Sequence, residues 1–377
     1  MRYVKQLDSL RAIAVLLVII THWFPENNKL NIYTSIFNGV DIFFVLSGFL
    51  ITRILLQNRI EAETSFLSKS RIVKNFFVRR ILRIFPIYYL LIFLLLAFAS
   101  STGTDIKNSF IYYFTYTSNI YFYSRQAWDG ALSHLWSLSA EEQFYILWPW
   151  LMLFPKKSWL LPIIILAILI GVLSQILLPM VEILTFACLD GFGIGALIAW
   201  VFTFHPKFLK RSKFIWMTLA FAGLGLQLIR VFSDSSFYLL PSRTLTSFFT
   251  IWIIIEIIKS KNKATFLFNF ILNNRVLIFI GKISYGVYLY HMFIPHYTYQ
   301  FLSSFNTSTL FATAQVNFYL IRLENFLLLL FISYLSWWLI EQPILRLKKH
   351  FEYRRPATNK NRKAVFNPEL AGETMNN

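Results

Sequence analysis

The stretch Trp159-Leu-Leu-Pro-Ile-Ile-Ile-Leu-Ala-Ile-Leu-Ile-Gly-Val-Leu-Ser-Gln-Ile-Leu-Leu178 runs from its tryptophan to its last leucine without a charged side chain. A helix needs about 20 mostly apolar residues to cross the hydrocarbon of a bilayer, so 159–178 reads as a membrane-spanning helix. Outward from it, nine further segments read the same way: 10–24, 40–57, 84–101, 138–154, 183–204, 214–232, 237–258, 283–302 and 320–340. The composition agrees. Of 377 residues, 56% are hydrophobic and only 14% charged, against about a quarter charged in soluble proteins; the mean hydropathy is +0.55. The expected fold class is therefore an all-α integral membrane protein with about ten transmembrane helices and no repeat of fixed period.

The net charge of +18 could point to nucleic acid, so the position of the charges has to decide. With the N-terminus in the cytoplasm and ten alternating spans, 29 of the 36 Lys and Arg residues fall on the cytoplasmic side. Six fall outside (Lys29, Lys107, Arg125, Arg230, Arg243 and Arg322), and Arg11 lies in the first helix. That asymmetry is the positive-inside bias. It places both termini in the cytoplasm and accounts for the charge with a lipid bilayer as partner and no nucleic acid. Arg2 and Lys5 before an apolar run resemble a signal peptide, but Arg11 interrupts the run and no small-residue cleavage site follows, so it reads as an uncleaved first helix. The basic segment 53–83 is expected to lie along the cytoplasmic membrane face. The outer segment 102–137, rich in Tyr, Asn, Ser and Trp, suits contact with sugar and equally suits interfacial anchoring. Residues 1–349 form the membrane domain, and 350–377 a basic, disordered cytoplasmic tail. The single cysteine, Cys188, forms no intrachain disulfide, and no Cys/His spacing suggests a metal.

Ionisable groups inside a bilayer are costly, which makes them functional candidates. Arg11 and His22 are eleven residues apart, so they share a helix face with Val15 and Val18 and sit about 16 Å apart along the axis. Arg11 also fits snorkelling or a structural ion pair, and His22 also fits helix packing. A second cluster, His134-Leu-Trp-Ser-Leu-Ser-Ala-Glu-Glu-Gln-Phe-Tyr145, holds the adjacent acids Glu141 and Glu142. Ser137 or Ser139 could cap that helix. Glu141, Tyr145 and Trp148 form one stripe aimed into the bundle. Arg80 and Arg83 are helical neighbours at a helix N-terminus, where cations oppose the dipole and a bound phosphate would compensate. Charge that sets topology reads as well there. Ser284, Tyr288 and His291 form one polar stripe suited to hydrogen bonds between helices. Asp41 and Gly48 share a face, and Glu341 is placed to pair with an arginine.

Together these stretches resemble the membrane-bound acyltransferase family 3, which O-acylates bacterial lipopolysaccharide, exopolysaccharide and related glycans. The matching segments are Leu7-Asp-Ser-Leu-Arg-Ala12 on to His22, Gly39-Val-Asp-Ile-Phe-Phe-Val-Leu-Ser-Gly-Phe-Leu-Ile51, Arg79-Arg-Ile-Leu-Arg-Ile-Phe-Pro86, His134 to Pro149, and Ile283-Ser-Tyr-Gly-Val-Tyr-Leu-Tyr-His291. The likeness covers roughly residues 5–347. It implies an enzyme of the bacterial inner membrane that moves an acyl group, acetyl above others, from cytoplasmic acyl-CoA to a hydroxyl of a cell-surface or lipid-linked glycan. Acyl-CoA is then a co-substrate, and no cofactor is held tightly. The resemblance assigns catalysis to His22, Arg11, Glu141 and Glu142 and donor binding to Arg80 and Arg83. Asp41, His134, Ser137, Ser284, Tyr288 and His291 are supporting residues. It also implies a standalone member that lacks the extracytoplasmic hydrolase-like domain of some relatives.

From this follows an expected mechanism. Arg80 and Arg83 hold the CoA phosphates, the thioester arm reaches His22 through the bundle, and Glu141 or Glu142 orients His22 as general base on a sugar hydroxyl; a covalent acyl-histidine is the variant. A transporter or flippase for a glycan or lipid-linked sugar is the competing reading, though the inverted repeats typical of transporters are not seen. A sensor or scaffold is the third, and it would not need the buried histidine and acids.

Overall fold

The computed structural model describes residues 3–34, 36–64, 68–99, 103–178, 180–233, 240–259, 270–309 and 314–352. Residues 353–377, most of the expected tail, lie outside the described residues. No strand occurs among the described residues. The helices that matter for the site are α1 (Gln6–Trp23), α3 (Gly39–Thr64), α4 (Lys69–Ala97) and α7 (Leu135–Leu153), with α2 (Lys29–Thr34), α5 (Ile106–Phe114) and α6 (Ser118–Arg125) between them. Then come α8 (Leu160–Leu177), α9 (Leu189–Phe204), α10 (Pro206–Arg211), α11 (Lys213–Phe232), α12 (Ser242–Lys259), α13 (Arg275–Tyr290), α14 (Phe293–Thr309), α15 (Ala314–Ser336) and α16 (Gln342–Arg346).

Helix α8 shows why the solvent must be lipid. Leu160, Ile164, Ala167 and Gly171 are buried on one face. Leu166, Leu169, Leu173 and Leu177 are exposed on the other. A helix apolar all round can expose one face only where the surroundings are themselves apolar. The interior is the more polar region: Asp8, Asp41, Arg59, Glu142, Asp190, Arg243, His134 and His291 are all buried. Close helix crossings are made by small residues, as expected where apolar burial does not favour one partner over lipid. A Cβ on Gly48 would lie 2.0 Å from the Phe192 carbonyl oxygen, so α3 and α9 touch backbone to backbone there.

The chain is a multi-pass membrane protein. Among the described residues, six helices meet the length and apolarity needed to cross, or seven if one bent pair counts as a span, where ten spans were expected. That pair is α13 with the following segment Phe293–Asn306, bent by 78°, where a single span 283–302 was expected. Helix α9 has only 16 residues. The basic segment 53–83, expected to lie along the cytoplasmic membrane face, is helical over most of its length: α3 continues through Thr64 and α4 begins at Lys69. The reason lies in Arg59, read from sequence as one of the topogenic charges. It is buried, donating to the Met152 and Pro155 carbonyl oxygens at 3.0 and 2.7 Å and pairing with Glu63 at 2.8 Å. It thus satisfies one carbonyl in the last turn of α7 and one just beyond it, and holds the extended end of α3 in place. Residues 103–137, within the segment expected to lie outside, are likewise largely helical, carrying α5 and α6.

Candidate active site

Five helices, α1, α3, α4, α7 and α13, surround a narrow cavity of about 100 Å³. Its polar lining is Arg11, Arg80, Arg83, Glu141, Ser47, Ser137, Tyr145, Ser284, Tyr285 and Tyr288. At the end of the bundle that carries Lys5 and Lys282, a wider opening of about 600 Å³ shares Arg11, Leu50 and Arg83 with it. Tyr3, at this mouth, donates to Asp8. Burial and that carboxylate push its phenol up to about 12, so it stays a neutral donor at working pH.

The electrostatics of the cavity are one-sided. Arg11 is paired with Asp8 at 2.6 Å. Arg80 rests over the Tyr145 ring at 4.9 Å and the Phe76 ring at 5.7 Å. Neither Arg80 nor Arg83 has an ion-pair or hydrogen-bond partner among the described residues. The only carboxylate lining the cavity, Glu141, accepts hydrogen bonds from Ser47 and Tyr145. With Arg11 paired to Asp8, two guanidinium groups facing one carboxylate in a low-dielectric site leave a surplus of positive charge that an anion would neutralise.

The acid pair divides. Glu142 is buried but does not line the cavity, because one residue step turns it about 100° around α7. It lies instead within electrostatic reach of Tyr88, Tyr116 and Tyr285. Neither Ser137 nor Ser139 caps α7. Ser137 Oγ meets the Tyr288 hydroxyl at 2.5 Å, and Ser139 Oγ meets Ser118 Oγ at 2.8 Å. Asp41 does not support this cavity either. It is held by Arg243 at 2.9 Å on the α9 and α12 side of α3, and Arg243 also donates to the Ala187 and Glu182 carbonyl oxygens at 3.0 and 2.7 Å. Glu341 is buried without an ion pair among the described residues, and its Oε1 makes no hydrogen bond there.

The three histidines that the sequence singled out one by one come together. His22 Nδ1 lies 2.9 Å from the Val18 carbonyl oxygen and 3.2 Å from His291 Nε2. The His134 ring stands edge-on to His291, with centroids 4.8 Å apart. His291 and His134 are buried, whereas His22 is exposed. Among the described residues no carboxylate touches His22, so the expected pairing with Glu141 or Glu142 is not formed.

His22 does not line the cavity that holds the arginines. The cavity ends at Tyr288, whose hydroxyl donates to the His134 carbonyl oxygen at 2.8 Å and meets Ser137. The His291 and His134 rings stand behind it, each with its centroid 5.5 Å from that of Tyr288. One layer of side chains therefore separates the arginines from His22. Ser284, also on α13, lines the cavity and donates to the Gly281 carbonyl oxygen at 3.0 Å.

Three contacts around this layer were not foreseen from the sequence. Trp23 Nε1 donates to the His291 carbonyl oxygen at 2.9 Å. Arg322 Nε donates to the Trp23 carbonyl oxygen at 2.7 Å. Ser47 reaches Glu141 from α3. Arg322 sits within an apolar helix, and that alone marks it as more than a topogenic charge; nothing in the periodicity distinguishes Ser47.

The acyltransferase 3 family profile, described as an acyltransferase domain, matches residues 4–342. A candidate O-acetyltransferase of Staphylococcus aureus (strain COL) is 31% identical over 336 residues, covering 80% of this chain and 52% of that protein. The peptidoglycan O-acetyltransferase OatA of Listeria monocytogenes is 35% identical over 185 residues, 45% of this chain and 27% of that protein. The chain thus spans about half the length, or less, of the curated relatives it matches. No solved structure matches.

Proposed function

This chain belongs to the acyltransferase 3 family, and from that premise we propose that it moves an acetyl group from cytoplasmic acetyl-CoA to a hydroxyl of a cell-surface or lipid-linked glycan at the bacterial inner membrane. The observation that carries the reading is the pair of cavity arginines, Arg80 and Arg83, that form no ion pair or hydrogen bond among the described residues. Half-buried cations of this kind suit a ligand that brings its own negative charge. The wide opening takes the nucleotide and its phosphates, with Arg83 at the junction. The narrow part takes the acyl-bearing arm, beside Arg80, Arg11 and Glu141. The printed name of the Listeria relative, a peptidoglycan O-acetyltransferase, supports acetyl as the group and a surface glycan as acceptor.

His22, exposed on the far side of the Tyr288 layer, is the general base. The sugar oxygen attacks the thioester carbonyl, its proton passes to His22, the C–S bond breaks and CoA leaves as the thiolate, which takes up the proton. For these atoms to meet, the Tyr288–Ser137 contact has to open. Glu141 balances the arginine charge and orients Ser47 and Tyr145; it does not orient His22.

The test is acetyl-CoA consumption by the purified protein, with CoA release scored against added surface glycan, together with mass spectrometry of the glycans from cells with and without the gene. His22→Ala should abolish transfer while still inserting into the membrane. CoA release at the wild-type rate by His22→Ala would overturn the base assignment. A glycan mass unchanged by loss of the gene would overturn the acceptor class.

A further inference from the structure

Two backbone carbonyls fix where the protons sit in the histidine pair. His291 Nδ1 lies 2.6 Å from the Tyr288 carbonyl oxygen. A carbonyl oxygen only accepts, so Nδ1 carries the hydrogen and Nε2 of the neutral ring is a bare lone pair. That lone pair faces His22 Nδ1 at 3.2 Å, and the Val18 carbonyl oxygen faces the same nitrogen at 2.9 Å. Both neighbours accept, so His22 Nδ1 must carry the hydrogen. His22 Nε2 is then the unprotonated nitrogen, and it has no hydrogen-bond partner among the described residues.

We infer that His291 is the positioning residue for His22: it holds the ring in the tautomer that leaves Nε2 free as a base and takes up hydrogen-bonding charge from Nδ1–H once Nε2 is protonated. The inference rests on the reading of His22 as the base. His291 occupies the place that a carboxylate fills in a Ser-His-Asp arrangement, with a neutral ring in its stead. Its own position is fixed on both sides, by Nδ1 on Tyr288 and by Trp23 Nε1 on its carbonyl oxygen at 2.9 Å. The titratable or charged groups around the pair are His134 from the start of α7 and Arg322 from α15, the latter acting on the Trp23 carbonyl. No carboxylate forms an ion pair with either ring among the described residues. In the wild type the imidazolium formed at His22 therefore leans on a carbonyl and a neutral imidazole alone.

Two isosteric replacements separate positioning from packing. In His291→Gln the side-chain oxygen can fall near the place of Nε2 and keep the acceptor for His22. In His291→Asn the amide can still reach the Tyr288 carbonyl but presents nothing to His22. We expect His291→Asn to lower kcat by about 100-fold, in the range that general-base catalysis contributes, with the KM for acetyl-CoA within about twofold. The acidic limb of kcat against pH should move to lower pH, because the imidazolium has lost an acceptor. His291→Gln should recover most of kcat and restore the limb. The double variant His22→Ala/His291→Asn should be no slower than His22→Ala, since the two residues act as one unit. If His291→Asn keeps the wild-type kcat and limb while His22→Ala is inactive, this inference fails and the base assignment stands. If His22→Ala is active, the base assignment itself fails. Equal loss in the Asn and Gln variants, with the limb unmoved, would assign His291 to packing and overturn the positioning role.

Discussion

Arg80 and Arg83 are the residues whose energetics and function pull in opposite directions. A half-buried guanidinium that forms no ion pair costs stability, and removing it relieves that cost. Arg83→Met should therefore raise the melting temperature of the donor-free protein in detergent, while abolishing the further rise that acetyl-CoA gives the wild type. A lower donor-free melting temperature would show that Arg83 already has a compensating partner. On the kinetic side, a hydrogen bond to a charged group contributes about 1.5–3 kcal/mol, so Arg80→Gln and Arg83→Gln should each raise the KM for acetyl-CoA by roughly 10- to 100-fold, with kcat changed much less. A donor dependence equal to that of the wild type would remove their assigned role. Glu141 is different in kind. Its hydrogen bonds from Ser47 and Tyr145 satisfy it within the protein, so Glu141→Gln should affect kcat more than donor binding.

At the scale of elements, the site depends on how α1 lies against α13. A Cβ on Gly281 would sit 1.8 Å from the Asp8 carbonyl oxygen, so only glycine permits that crossing. Asp8 holds Arg11 at one end of the same interface, and His22 meets His291 at the other. Gly281→Ala should therefore cost about 1–3 kcal/mol by overpacking, read as a lower melting temperature, and should also lower kcat by parting the histidines. Loss of stability with full activity would show that the crossing is not what sets the site. The C-terminal end of α1 has a second anchor. Arg322 on α15 bonds the Trp23 and Phe318 carbonyl oxygens at 2.7 and 3.0 Å, with its guanidinium 3.3 Å from the Phe318 ring centre. Arg322→Gln should lower kcat and leave the KM for acetyl-CoA unchanged, because it touches the His22 side of the Tyr288 layer and not the arginine side.

For the whole molecule, the expected ten-span topology with both termini inside is tested at α7. Trp128 precedes it and Lys156 follows it, and both are exposed. Cys188 is the only cysteine in the chain, so Cys188→Ala gives a clean background for single reporter cysteines. A membrane-impermeant thiol reagent should label Trp128→Cys from outside and Lys156→Cys only from the cytoplasmic side. Labelling of both from one side would mean that α7 does not cross and that ten spans is wrong. Much of this molecule was legible without coordinates. Uninterrupted apolar runs such as 159–178 can be stable only in lipid, and polar groups within such runs are costly enough to mark themselves, so the sequence by itself determined the all-helical membrane class and nominated Arg11, His22, Arg80, Arg83, Glu141, His134 and His291. Helical periodicity also placed Glu141, Tyr145 and Trp148 on one inward stripe. What periodicity reports is a direction around one helix axis; it says nothing about which neighbouring helix stands in that direction. Only the tertiary structure decided that Glu141 enters the arginine cavity while Glu142 turns away, that Asp41 belongs to Arg243, and that His22 is held by another histidine instead of an acid, because each of those pairings is made by packing between helices far apart in the chain.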